Sequence, residues 1–368
     1  MNKKIKLRRP YDPTIPIVAL ALSVFGLVMI LSSSQIQAVQ DYGNSYHFFI
    51  RQLLWWLGGV IAFFYFLKLP LESLYENRLN FLFASLILLV LVFVPILGPE
   101  IAGVHRWISL GFLQFQPAEI VKLLLIIYLA GWFAAKGELI EHPVKGTLPF
   151  LAVLALVTGL IVIEPDMGTA FVIILSAMVM FFVANANIWQ YAALVVLGAI
   201  AVILLIYAAP YRAARLTGFL DRENQQQESG YHVNQALIAI GSGGLWGVGF
   251  GQGTSKYAYL PESHTDSIFA VIGEELGFVR GSLVVLAYFY LLWRGFVIAR
   301  YSNSRFVQLL VVGLTTTIVS QAVINISGML GLIPLTGVPL PLVSYGGSSL
   351  VVTMAMLGLL TNASRERS

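Results

Sequence analysis

Cysteine is absent from all 368 residues, which excludes disulfides, thiolate zinc sites and iron–sulfur clusters. Charge is scarce too. Asp, Glu, Lys and Arg make up 11% of the chain, against about 25% in a soluble domain. The formal net charge of +4 is small and scattered, which argues against a nucleic-acid partner. No 20–50-residue repeat recurs, and no inverted pair of broken helices of the transporter kind is visible. The glycine-rich stretch 241–253 matches neither GxGxxG nor GxxxxGK[ST] and follows no strand pattern. It reads as tight turns, not as a nucleotide loop.

What is abundant is apolar sequence. Hydrophobic residues make up 58% of the chain and the mean hydropathy is +0.82. Nearly uncharged stretches long enough to cross a bilayer recur. The fold class is therefore an all-α integral membrane protein, one polytopic domain over residues 1–368. Ten transmembrane helices are expected near 14–35, 48–68, 79–97, 118–135, 147–163, 167–184, 189–208, 277–298, 306–333 and 344–362. "MNKKIKLRRP" followed by an apolar run resembles a signal peptide, but no small-residue cleavage site follows, so the run reads as a retained first helix. An even count puts both ends on one side. With residues 1–13 and 363–368 as cytoplasmic tails, 14 of the 22 basic residues fall inside, as the positive-inside rule asks. Residues 209–276 then form a large outward loop between helices 7 and 8, with "DRENQQQESG" (221–230) as its tip. Loops this long are usually functional or disordered, and the apolar helix-like part of this one argues against disorder.

Several outward segments carry unusual residues. In "GVHRWISLGFLQFQPAEIVK" (103–122), Pro117 suits the first helical position, and Glu119 and Lys122 share a face. They form either a local salt bridge or part of a functional pathway, the default for charge at membrane depth. Arg106 and Trp107 could serve as interface anchors or as site residues. In "EPDMGT" (164–169), Asp166 could be a plain helix cap. "YRAAR" (211–215) sets Arg212 and Arg215 on one face, suited to a pyrophosphate or to lipid headgroups. "IPLTGVPLPLVSYGGSS" (333–349) must be irregular, so it is buried in protein or lines a watery cavity.

The most anomalous stretch is "LPESHTDSIFAVIGEELG" (260–277). It holds four of the 18 acids and one of the five histidines. Asp266 could cap the helix that follows, but Glu262, His264, Asp266, Glu274 and Glu275 crowd together. Crowded carboxylates need cations, a metal or a substrate to balance them. Lys256 and Arg280, the nearest cations in sequence, are too few. The residues alone lead to an outward polar cavity with a carboxylate and basic groups, served from the membrane.

At these same residues the chain resembles the FtsW/RodA/SpoVE family. The matching stretches are G-x-x-RWI at 103–108, QPAE-x-x-K at 116–122, EPDMGTA at 164–170, YLPESHTDSIFAVIGEELG at 259–277 and GVPLPLVSYGGSS at 337–349. Ala118, Glu164 and Ser267 depart from the family's usual serine, glutamine and aromatic residue. The resemblance implies ten membrane helices and a peptidoglycan glycosyltransferase that polymerises lipid II outside the bacterial cytoplasmic membrane. It implies a class B penicillin-binding protein (transpeptidase) as partner, among other divisome or elongasome membrane proteins. "SSSQIQAVQDYGNSYHFFIRQLLWW" and "LGLLTNASR" look more like the division member FtsW than the elongation member RodA. Asp266 is carried over as the catalytic base. Lys122, Glu119, Arg106, Trp107, Arg212, Arg215, Glu262, His264, Tyr345, Ser348 and Ser349 are carried over as substrate-binding candidates. A divalent cation (Mg or Mn) at Asp266 is a further candidate for balancing pyrophosphate charge, and no organic cofactor is implied. A lipid II flippase and a non-enzymatic division scaffold are the competing classes.

Overall fold

The computed structural model describes residues 10–100, 103–111, 113–207, 213, 216–219, 229–257 and 260–366. Among the described residues the chain is mostly helical. Its helices are α1 (Thr14–Tyr42), α2 (His47–Lys68), α3 (Leu71–Glu76), α4 (Arg78–Leu91), α5 (Pro117–Lys136), α6 (Leu148–Ile163), α7 (Met167–Val183), α8 (Ile188–Tyr207), α9 (Ser229–Ser242), α10 (Ile268–Arg300), α11 (Arg305–Met329) and α12 (Gly347–Ala363). Among the described residues, eight helices are long and apolar enough to cross a membrane. α4 and α7 are apolar but shorter, and they coincide with two further expected spans.

Local chemistry sets the ends. α5 begins with Pro117, whose missing N–H is no loss in a first turn, and carries Glu119 there and Lys136 in its last turn. α1 ends at Gly43 in the left-handed region, where the Gly43 N–H reaches the Val39 carbonyl at 2.9 Å. α4 stops at Leu91, short of the expected 97, because Pro95 cannot continue a helix. α11 likewise stops at Met329, not 333, where Gly331 at φ 64 and then Pro334 interrupt it.

The largest departure is α10. It starts at Ile268, nine residues before the expected span, so the outward loop is shorter than 209–276. Its acids do not break the helix because each is hydrogen-bonded. It kinks at Gly277, whose φ of 77° suits only glycine. A Cβ there would lie 2.3 Å from the Gly247 nitrogen. A short hairpin was not anticipated at all: β1 (Ile108–Leu110) pairs antiparallel with β2 (Leu113–Phe115), Ile108 opposite Phe115.

α11 sits in the middle and is buried along nearly its whole length. α8 has no buried residue, so its apolar surface needs lipid or a partner. The two ends of the bundle differ. At one end the Asp12 N–H donates to Ser364 Oγ at 2.8 Å and Arg294 pairs with the Asp12 carboxylate, so the first and last long helices end together. At the other end lie the hairpin, the α6–α7 turn, the 260–267 loop and the irregular 330–346 segment.

Candidate functional site

Two amides on α11 organise that second end. Gln321 and Asn325 are one helical turn apart, about 6 Å along the axis, and both are buried. Gln321 accepts from Lys122 Nζ at 2.6 Å through Oε1. Its Nε2 donates to the Pro339 carbonyl at 3.0 Å and to Ser349 Oγ at 3.3 Å. Asn325 donates to the carbonyls of Asp266 and Val338, both at 2.8 Å. One face of one helix thus joins α5, the acidic loop and the irregular segment.

Lys122 is 2% exposed and Glu119 3%, and they pair at 2.8 Å. The local salt bridge exists, but the amine also serves Gln321, so the pair is part of a larger network. Asp266 is half-buried. The cap position of α10 belongs to Ser267, which makes no side-chain cap bond; its hydroxyl instead meets His232 Nε2 at 2.6 Å and the Pro261 carbonyl at 2.8 Å. Gly337, at φ 73, faces the catalytic candidate: a Cβ there would stand 3.4 Å from Asp266 Oδ2.

His264 is enclosed by the rings of Phe48 and Tyr345, at 4.3 and 5.4 Å between centroids. Burial lowers its pKa, opposed by Glu262 and Asp41. Its carbonyl accepts from the Tyr345 N–H at 2.9 Å, and the neighbouring Thr265 carbonyl accepts from Ser344 Oγ at 2.7 Å. Glu262 is exposed, holds φ 50, and accepts from Thr265 Oγ1 at 2.7 Å. Ser348 Oγ accepts from the Gln116 N–H at 3.1 Å. The 337–349 segment is therefore buried in protein, as an irregular backbone at membrane depth requires.

Asp166 does cap α7, accepting from the Thr169 N–H at 3.0 Å, and it also takes Gln116 Nε2 at 2.7 Å. Arg106 donates to the carbonyls of Glu164, at 2.8 Å, and Pro165, so it ties the hairpin to the α6–α7 turn. Trp107 beside it is half-buried. Arg212 and Arg215 lie outside the described residues.

Sequence reasoning overstated the charge imbalance in 260–277. Glu274 is satisfied by Thr254 and Ser255, and Glu275 by Ser32, Gly251 and Lys256. Glu262 is bonded to Thr265 within its own loop, so most of the acidity of the stretch is balanced locally. Gln321 and Asn325 were missed altogether; the available signal was a pair of amides at i,i+4 in an otherwise membrane-like helix.

Glu164 is 1% exposed, and neither carboxylate oxygen has a hydrogen-bond partner. Burial first, and then the Asp166 charge, push its pKa from the usual 4.5 to about 8, with Arg106 opposing. At neutral pH this acid is uncharged and resembles the glutamine that stands there in the resembling family. A raised folded pKa means the folded form holds its proton more tightly, so stability is full below the unfolded value and is lost as pH rises through the folded one. Glu164→Gln should therefore melt with the parent below pH 4.5 and increasingly above it between pH 5 and 9, in detergent melting curves.

Comparison with known proteins gives one family. Residues 13–368 match the FtsW/RodA/SpoVE profile, described as cell cycle protein. A probable peptidoglycan glycosyltransferase FtsW from Coxiella burnetii is 36% identical, covering 100% of this chain and 99% of its own length. Stage V sporulation protein E from Bacillus subtilis is 38% identical, over 96% and 97% of the two chains. Among solved structures, a chain from a peptidoglycan synthase complex, studied for its coordination of polymerization and crosslinking, superposes with TM-score 0.80 at 31% identity. It covers 97% of this chain and 98% of its own. The rod shape determining protein RodA of Thermus thermophilus superposes with TM-score 0.71 at 29% identity, over 97% of each chain.

Proposed function

The chain belongs to the FtsW/RodA/SpoVE family, and on that premise we propose that it polymerises lipid II into glycan strands at the outer face of the cytoplasmic membrane. It is a multi-pass membrane protein and a peptidoglycan glycosyltransferase of this family. Its partner is a class B penicillin-binding protein, in keeping with the synthase complex it resembles. Cell division is the favoured setting, with elongation the alternative.

The observation that carries the mechanism is the α11 amide pair, one turn apart, in which Gln321 holds the Lys122 amine and Asn325 holds the Asp266 backbone carbonyl. The acceptor GlcNAc 4-hydroxyl gives its proton to the Asp266 carboxylate as its oxygen attacks C1 of the donor sugar. The C1–O bond to the polyprenyl pyrophosphate breaks, and its electron pair leaves with the pyrophosphate. Lys122 holds the positive charge that this leaving group meets. An α-linked donor giving a β-linked glycan is a direct, inverting displacement, so no covalent sugar–enzyme intermediate forms.

Among the described residues no cluster of three or more acids or histidines is ready to hold a metal. Mg²⁺ usually needs only one or two protein carboxylates beside substrate phosphates, so a single carboxylate would suffice here. Asp266 would be the protein's ligand, and the ion would supply charge to the pyrophosphate.

The test is purified protein with labelled lipid II, with and without the partner. The expected product is a polymer that a β-muramidase digests completely. A polymer resistant to that enzyme would overturn the inverting mechanism.

Topology belongs to the same proposal. Ten crossings, counting α4 and α7, would return the chain to the side of Asp12 and Ser364, the cytoplasmic side. Gln252 and Glu138 are both exposed, and the chain has no native cysteine to interfere. Gln252→Cys should react with an impermeant thiol reagent from outside the cell, and Glu138→Cys only after permeabilisation. The reverse pattern would invert the site.

A further inference from the structure

We propose that Lys256, Glu274 and Glu275, with Ser32 of α1, form a buried latch whose task is to position Asp266 for reaction. The proposal rests on the reading of Asp266 given above. Glu275 is fully enclosed and Glu274 is 2% exposed. Both sit in the last turn before the Gly277 kink.

Every donor to this pair comes from one short stretch of loop or from α1. Glu274 accepts from the Thr254 N–H at 2.7 Å, from Thr254 Oγ1 at 3.1 Å, from the Ser255 N–H at 3.2 Å and from Ser255 Oγ. Glu275 accepts from the Gly251 N–H at 3.0 Å, from Lys256 Nζ at 3.0 Å and from Ser32 Oγ at 2.8 Å. Lys256 closes the ring by donating to the Gly251 carbonyl at 2.6 Å and to Ser32 Oγ at 3.3 Å. A buried ion pair is weak evidence for stability, because apolar side chains of similar volume often serve as well. What this one does supply is a single geometry for residues 251–256.

That geometry is passed on to Asp266. The Leu260 N–H reaches back to the Ser255 carbonyl at 2.9 Å, and Ser263 Oγ to the Ser33 carbonyl at 3.2 Å. The Ser267 N–H then bonds the Glu262 carbonyl at 3.1 Å. α1 therefore holds the loop twice, through Ser32 and Ser33, while Asn325 holds the Asp266 carbonyl from the far side. The latch touches no substrate in this scheme. It sets where the carboxylate stands.

The test is the double variant Lys256→Met/Glu275→Gln, which removes both charges together and leaves neither buried alone. Its amide can still accept from Ser32 and Gly251. The expected result is folded protein that captures its partner, with kcat for glycan polymerisation lowered on the order of 10–100-fold and KM for lipid II nearly unchanged. A second readout needs no activity. Spin labels on Glu262→Cys and Leu332→Cys, both exposed, should give a narrow distance distribution in the parent and a broad one in the latch variant. Normal turnover per folded molecule, or an unchanged distance distribution, would overturn the latch. If the parent itself makes no polymer, the proposed function fails, and the spin-label distances still decide the latch.

Discussion

Asp266→Asn is expected to yield folded protein that binds its partner and makes almost no glycan polymer from lipid II. The substitution separates two roles for the same side chain. A structural acceptor is served nearly as well by asparagine, whose carbonyl oxygen takes the same hydrogen bond. A base is not, because an amide cannot take up the proton. The structure sharpens the contrast: the cap position of α10 belongs to Ser267, and Asp266 is anchored to Asn325 through its backbone carbonyl, a bond the substitution leaves intact. General-base catalysis contributes roughly 10²–10⁴ in rate, and loss of a metal ligand would add to that. Glu262→Gln is expected to do much less, since Glu262 is exposed and bonded to its own loop. Polymer amount and length on a gel, beside melting temperature, check both variants. Near-normal polymer from Asp266→Asn would refute the base assignment.

Lys122 is expected to be needed for both folding and chemistry, and the two demands can be separated. Lys122→Met leaves Glu119 buried at 3% exposure with its cationic partner gone. Breaking a buried pair from one side costs about 3–5 kcal/mol, so this single variant should melt well below the parent. Glu119→Gln/Lys122→Met removes both charges and should recover most of that stability. It should not recover polymer, because no cation then meets the pyrophosphate. Recovery of polymer in the double variant would reduce Lys122 to a structural partner of Glu119. The Gln321 contact provides a further check: Gln321→Leu should weaken turnover with Lys122 still present, because the amine loses the acceptor that aims it.

The site is partly legible in the sequence alone, for a physical reason. In an apolar chain each charge is costly, so Glu119, Lys122 and Asp266 stand out individually. Uncharged amides do not. Gln321 and Asn325 lie among Thr, Ser and Val on a helix still apolar enough to cross a bilayer, and only their pairing across the bundle shows what they do. The acidity of 260–277 misled in the opposite direction. Its balancing donors include Ser32, more than two hundred residues away, and backbone N–H groups that no composition reveals. The long apolar helices were legible from hydropathy, while the six-residue α3 (Leu71–Glu76) was not. Helix ends were legible where proline or glycine fixes them, as at Pro117 and Gly43, and not at Ile268, where hydrogen bonding lets two acids sit inside a helix. The β1–β2 hairpin was hidden because three-residue strands have no room for a periodic pattern.

The most direct test of the central claim uses the purified chain in lipid vesicles with labelled lipid II, following polymer formation and movement between leaflets in the same sample. The expected result is β-linked glycan chains made from outward-facing lipid II, strengthened by the class B partner and abolished by Asp266→Asn, with no transfer of lipid II between leaflets. Lipid II that crosses the bilayer without forming chains, equally well in the parent and in Asp266→Asn, would contradict the polymerase and make the chain a flippase.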